Sequence, residues 1–379
     1  MVKFAPHADG WISNPYDEYR ELRTQDPVHW SEELEHWVLT RYGDIVSVLK
    51  DQRFSAAGRS PQRRRDRPTM MVTADPPDHA RLRRPVNHRF TATAIDELRP
   101  RIQALADELL DAGPRDGMMD VVADFARPFP QTIIGEMLGL EPEDGQARPA
   151  QAMLSSQNTS LEAGASEDAE RREPFLQKAL ARHREAPLDD LLNDLLEAEA
   201  AGSMDSEETL DTAIILYIAG LETTVRTIST GVYHLLKHKE QLEALRRDPT
   251  LIAPVTEEVL RYDSPVHAIS RKAQEDVELG GRTIARGQKV LLMLAAANRD
   301  PDVFDHPDEL DIEREENPHI AFGSAIHACL GGDLARLEIQ IAIGTLVRRF
   351  PRLRLASEDL VWEGSFIIRG LKSLPVALD

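Results

Sequence analysis

With one cysteine among its 379 residues, the chain excludes an intrachain disulfide and any Cys-x-x-Cys metal or redox site. A thiolate, if the chain uses one, is therefore Cys329. Long hydrophobic runs are also missing. The longest spans nine residues, 213–221, against the roughly 20 that a bilayer-crossing helix needs. The first residues carry no apolar signal segment, so the expectation is a cytoplasmic protein without a membrane. Positive charge is scarce: 45 Lys plus Arg against 65 Asp plus Glu leaves a net charge of −20, which argues against nucleic acid as a partner. No glycine fingerprint for a flavin or nicotinamide dinucleotide is present. A redox reaction here would draw its electrons from another protein.

What is present suits a folded chain, with 41% hydrophobic and 29% charged residues. Helical periodicity predicts helices over 14–22, 43–49, 78–90, 95–112, 133–138, 187–198, 206–238, 254–262 and 330–350. A hairpin is expected from the strand-like pieces 28–30 and 36–40, and a strand-rich tail after 350. Residues 298–322 have no clear period, which in a compact chain points to function. The segment 206–238 is apolar on nearly all sides at its middle, so it is expected to cross the interior. Its Gly220 sits mid-helix, where glycine costs about 0.5–1 kcal/mol relative to alanine.

Four groups of residues carry chemistry. The first is Phe322-Gly323-Ser324-Ala325-Ile326-His327-Ala328-Cys329-Leu330-Gly331, a loop that delivers the cysteine to the start of a helix. Most lone cysteines are small buried hydrophobes. At a helix N-terminus, however, the dipole and unpaired N–H groups would lower the thiol pKa. The second is Ala219-Gly220-Leu221-Glu222-Thr223-Thr224, where a mid-helix threonine can bond the carbonyl three or four residues earlier and bend the helix beside a small pair. The third, Glu258-Val259-Leu260-Arg261, is by itself only an i, i+3 ion pair. The fourth is a set of cations: His79 and Arg83, one face of a helix, with Arg271 and His327.

Together and in this order, these groups resemble the cytochromes P-450, from the 43–49 helix to the tail, most weakly between 147 and 203. The resemblance implies a mainly α fold with small β-sheets, the whole of 1–379 forming a single domain. It implies haem b (iron protoporphyrin IX) with Cys329 as axial iron ligand, and Phe322 and Gly323 in the haem loop. It departs at Ala325, where the family usually has a second glycine; a positive φ there would put strain on an alanine. Ala219 and Gly220 would line the oxygen groove, with Thr223 as hydrogen-bond donor to dioxygen and Glu222 as proton relay. His79, Arg83, Arg271 and His327 would hold the haem propionates, since partly buried carboxylates need paired donors. Glu258 and Arg261, joined by Arg314, would form a structural network.

The implied reaction is insertion of one oxygen atom from dioxygen into a mostly apolar small molecule, in natural-product metabolism. Met70, Met71, Val72, Leu216, Val266, Ile269, Phe366 and Ile367 would line the substrate pocket. Electrons would come from a ferredoxin and its ferredoxin reductase, docking on Arg81, Arg84 and Arg336. The run Arg63-Arg64-Arg65-Asp66-Arg67 is either solvated charge or an attractor for a carrier-bound substrate. A monomer is expected. A peroxygenase or isomerase, or a non-catalytic haem-binding module, remains open at this point.

Overall fold

The computed structural model describes residues 2–8, 10–57, 70–113, 117–141 and 166–379, the side chains of 166–173 excepted. The arginine run at 63–67 lies outside the described residues. Asp205 starts the longest helix, Ser206–Lys237, through a capping box: its carboxylate accepts from the Glu207 and Glu208 N–H groups, and Glu208 reaches back to the Asp205 N–H at 2.9 Å. The predicted span is reproduced within one residue. This central helix is buried along most of its length and packs against the helices Pro128–Met137, Leu191–Ala200, Ile252–Tyr262 and Gly332–Arg349.

A five-stranded sheet stands beside the helices in the order Val28–Ser31, His36–Leu39, Lys289–Met293, Ala268–Ala273, Phe54–Ser55. The expected hairpin forms its first two strands, with Val28 opposite Leu39. Only the pairing of His36–Leu39 with Lys289–Met293 is parallel. The tail supplies the short strands Arg354–Leu355, Trp362–Gly364, Arg369–Leu371 and Pro375–Ala377. The main helical core is lined by residues such as Ile102, Phe125, Phe129, Val225 and Leu346, and separate apolar clusters lie against the sheet and around Phe4, Trp11 and Tyr19.

Three predicted helices are corrected. The 78–90 segment is a short helix, Asp78–Arg83, followed by a 3-10 turn at Asn87–Phe90. The 95–112 segment breaks after Glu97, because Pro100 opens a new helix, Arg99–Ala112, where its missing N–H does no harm. The helix expected over 133–138 begins earlier, at Pro128, behind a π-helical turn at Val121–Ala126. The 298–322 stretch contains only turns and bends, as its lack of period suggested.

Candidate active site

The loop before Gly332–Arg349 closes on itself: the Cys329 N–H donates to the Phe322 carbonyl at 2.8 Å, and the Ala328 N–H to the Ala325 carbonyl at 3.1 Å. Gly323 has φ +68° and Ala325 has φ +58°. The position therefore does require the left-handed backbone, and an alanine occupies it against its preference. The helix itself begins three residues after the cysteine. Cys329 opens onto a cavity while protein closes around its remaining sides. Burial pushes its thiol pKa up, against the Gly331 N–H and the charges of Arg83 and Arg336. The expected depression of that pKa is thus reversed for the protonated thiol, because desolvation outweighs the helix end.

The cavity holds about 270 Å³ between the cysteine loop and the central helix. Of the expected residues it gathers Cys329, Phe322, Gly323, His327, His79, Arg83, Ala219, Gly220, Thr223, Met71, Val72, Leu216, Val266 and Ile269. Met70 only flanks it. Phe366 packs edge-on against Phe4 and His7 in the N-terminal cluster, and Ile367 packs with that cluster too, so neither lines the cavity. Gly220 has a reason beyond the ligand space expected of it. A Cβ there would lie 2.8 Å from Ile134 Cγ1, so glycine lets the helix Pro128–Met137 approach closely.

His79 and His327 meet edge to face with ring centroids 4.4 Å apart. Arg83 Nη1 donates to the Ala328 carbonyl at 2.8 Å, which ties the helix Asp78–Arg83 to the cysteine loop. Burial, helped by Arg271, His79 and Arg83, brings His327 down to about 4. His79 is also lowered by burial and by Arg83. The only acid among the named influences, Asp75, is engaged by Ser55 and by the Ala56 N–H. His79, Arg83 and His327 thus meet on the cavity wall, with Arg271 close enough to lower His327 though it does not line the cavity, a set of donors that fits the two carboxylates of a haem.

On the central helix the Thr223 hydroxyl donates to the Ala219 carbonyl at 3.1 Å, the backward bond expected of it. Glu222 is buried but does not line the cavity. Its carboxylate lies 3.5 Å from Arg127 Nη1 and 4.0 Å from Arg226 Nη2, and its Oε2 has no hydrogen bond. Burial raises its pKa, while Arg226 and Arg127 hold it down.

Sequence patterns missed three groups here. Arg127 lies far away in the chain, and Arg226, though i+4 to Glu222, looked like an ordinary helical charge. The third, Glu338, lines the cavity from Gly332–Arg349. Burial raises its pKa to about 8, with Thr224 pulling weakly the other way. Its spacing along an apolar helix face was the available signal.

Glu258 and Arg261 form a bidentate pair at 2.7 and 2.7 Å with Arg261 fully buried. Arg261 also donates to the carbonyls of Asn298, Pro307 and Glu309. Arg314 joins at 3.3 Å. The network pins the aperiodic stretch, as expected. The docking patch fares differently: Arg81 is taken by Asp78 and Glu208, and Arg336 by Glu257 and Asp333. Of the three, only Arg84 is exposed without an ion pair among the described residues.

A family model described as Cytochrome P450 matches residues 150–359. The chain is 42% identical to cytochrome P450 CYP107DY1 of Priestia megaterium, covering 90% of this chain and 89% of that one. It is 35% identical to the polyketide biosynthesis cytochrome P450 PksS of Bacillus subtilis, covering 100% and 99%. The solved structure of P450BioI with a hexadec-9Z-enoic acid-ligated acyl carrier protein superposes with a TM-score of 0.91 at 36% identity, over 97% of this chain and 99% of that one.

Proposed function

This chain belongs to the cytochrome P450 family of haem monooxygenases, and on that premise we propose that the Cys329 sulfur would ligate the iron of a haem b held in the cavity described above. One observation carries the proposal. The only thiol of the chain opens into the same cavity that collects His79, Arg83, His327 and Thr223. In this reading His79, Arg83, Arg271 and His327 hold the propionates, and the whole chain folds as one domain. When bound, the haem supplies dioxygen activation and transfer of one oxygen atom, with the thiolate enriching the iron in electron density.

The protein's own residues bind, orient and move protons. Met71, Val72, Leu216, Val266 and Ile269 offer an apolar surface to a small organic substrate. Thr223 lines the cavity, with its hydroxyl proton resting on the Ala219 carbonyl until it is donated. Glu222 takes protons from the arginine side and passes them toward Thr223, for which its carboxylate leaves Arg127 and Arg226. Among the described residues no helix is long and apolar enough to cross a membrane.

We infer a ferredoxin and its reductase as electron donors, docking by way of Arg84 in place of the wider patch. The relatives active in polyketide biosynthesis and bound to an acyl carrier protein support a natural-product or acyl substrate for this chain, free or carrier-borne.

The reduced, carbon-monoxide-bound spectrum tests the thiolate. A strongly red-shifted Soret band that is lost in Cys329→Ser is the expected result. A histidine-type spectrum in the unaltered protein would falsify the assignment. Product formation with dioxygen, ferredoxin and reductase, and none with peroxide alone, separates the monooxygenase from a peroxygenase.

A further inference from the structure

Of the two arginines beside Glu222, Arg226 has far less water: its side chain is 3% exposed, against 23% for Arg127. When the Glu222 carboxylate turns away with a proton, solvent can stabilise the charge of Arg127 but does not reach Arg226. A buried cation left without a counter-charge is strongly destabilising. A relay through Glu222 therefore needs a second acid beside Arg226.

The tail supplies one. Glu363, on the strand Trp362–Gly364, brings Oε1 to 3.9 Å from Arg226 Nη2, as near as Glu222 Oε2 at 4.0 Å. The Glu363 backbone carbonyl accepts from Arg226 Nη1 at 3.3 Å. In the pairing of Trp362–Gly364 with Arg369–Leu371, Glu363 lies opposite Gly370, where a Cβ would fall 2.7 Å from Arg226 Cγ. These two strands are thus shaped to receive this arginine. Glu363 is 33% exposed and reaches water, whereas Glu222 is buried. Arg226 Nε and Nη2 make no hydrogen bond, so no bond from them has to break for the arginine to change acids.

We propose that Glu363 is a positioning residue for the oxygen-transfer reaction: it takes over the charge of Arg226 each time Glu222 swings toward Thr223, and so frees Glu222 to move. This rests on the proton-relay reading of Glu222. The charged and titratable groups around Glu222 are Arg226 and Tyr217 on its own helix, Arg127 from the π-helical turn side and Glu363 from the tail, while Arg369 acts on Arg226. Arg226 and Arg127 hold the Glu222 pKa down and Glu363 pushes it up. Loss of the Glu363 charge therefore lets Glu222 titrate lower.

Two measurements on the holoprotein test the hand-over. In the first, Glu222→Gln leaves Glu363 as the acid beside Arg226, so adding Glu363→Gln lowers the melting temperature at least about 3 °C more in that background than in the parent. Equal drops in the two backgrounds overturn the proposal. The second is dioxygen uptake driven by ferredoxin and its reductase, with dodecanoic acid as the probe. Glu363→Gln slows uptake at least about threefold and moves its acidic limb down by about 0.5 pH unit, and Glu363→Asp restores most of the rate. A limb that stays or moves up overturns the proposal, since a merely structural Glu363 would leave it in place. The melting comparison needs no turnover and so separates the two readings. Glu222→Gln that takes up dioxygen at the parent rate refutes the relay, and the hand-over with it; slowed uptake in Glu222→Gln with equal melting drops refutes the hand-over alone.

Discussion

Two buried acid–arginine groups of similar composition, one on the central helix and one on Ile252–Tyr262, are finished to different degrees. Around Glu258, both oxygens are bonded to Arg261 at 2.7 Å, and the Asp311 N–H and Asn317 amide add further donors. Around Glu222, the nearest arginine nitrogens are 3.5 and 4.0 Å away, and Glu222 Oε2, Arg226 Nε and Arg226 Nη2 have no hydrogen bonds at all. A buried charge that is fully bonded fixes one geometry, whereas one held only by loose attraction keeps alternatives within reach. The first group is suited to holding a segment still. The second is suited to a carboxylate that must move with its proton.

Breaking the tight group has the largest expected effect. Glu258→Ala leaves Arg261 buried without its counter-charge and frees the carbonyls of 298–309 from their anchor, for a loss of about 3–5 kcal/mol. Urea unfolding of the holoprotein measures it, together with haem content. A loss below about 1 kcal/mol would mean that the two groups do not differ in the way their geometry indicates.

The loose group should respond in rate and pH dependence more than in stability. Arg226→Met removes the largest charge effect that lowers Glu222, so the carboxyl titrates higher and the acidic limb of the product-formation profile moves to higher pH. Its stability cost stays under about 2 kcal/mol, because two of the guanidinium nitrogens had no partner to lose. An unmoved pH limb would sink the proton-relay role of Glu222.

The contrast also explains what the chain discloses before it is folded. The central helix, the cysteine loop and the Glu258–Arg261 pair are local: period, cap and spacing lie within a few residues, and they are recovered nearly to the residue. Arg127 meets Glu222 only because Pro128–Met137 packs on the central helix. Arg226 fits where it does because Gly370, on a distant strand, has no Cβ: one there would lie 2.7 Å from Arg226 Cγ. Phe366 was expected at the substrate, but its ring finds aromatic partners in the first residues of the chain, a pairing that no local pattern encodes. The 78–90 helix was overextended for a different and local reason: Leu82, Val86 and Phe90 keep a helical spacing, but Pro85 cannot continue the helix and the backbone turns at 84–86.

Glu338 sharpens the comparison, since it is a buried carboxyl with no arginine among the groups that shift it. Its pKa of about 8 lies above the ordinary 4.5, so the folded protein keeps a proton that the unfolded chain releases. The stability gained that way is complete below 4.5 and is lost as pH rises through 8. Glu338→Gln mimics the protonated form at every pH. The variant and the parent should have nearly equal melting temperatures at pH 5, with the variant the more stable at pH 8. A constant difference across that range would show that Glu338 is ionised throughout.

The smallest effect tests whether unfinished geometry extends to the backbone beside the thiol. Ala325 holds φ +58° in the cysteine loop, a conformation that costs a residue with a Cβ about 1–2 kcal/mol. Glycine removes that strain but enlarges the freedom of the unfolded chain by about 0.4–1 kcal/mol. The two oppose each other, so Ala325→Gly stabilises by only about 0.5–1 kcal/mol. Because the Cys329 N–H to Phe322 bond and the Arg83 to Ala328 bond use backbone atoms outside the substituted side chain, the carbon-monoxide spectrum should stay where it is. A destabilised Ala325→Gly protein, or a displaced Soret band, would show that the alanine methyl itself positions the loop, and that the strain at 325 is part of how the thiol is presented.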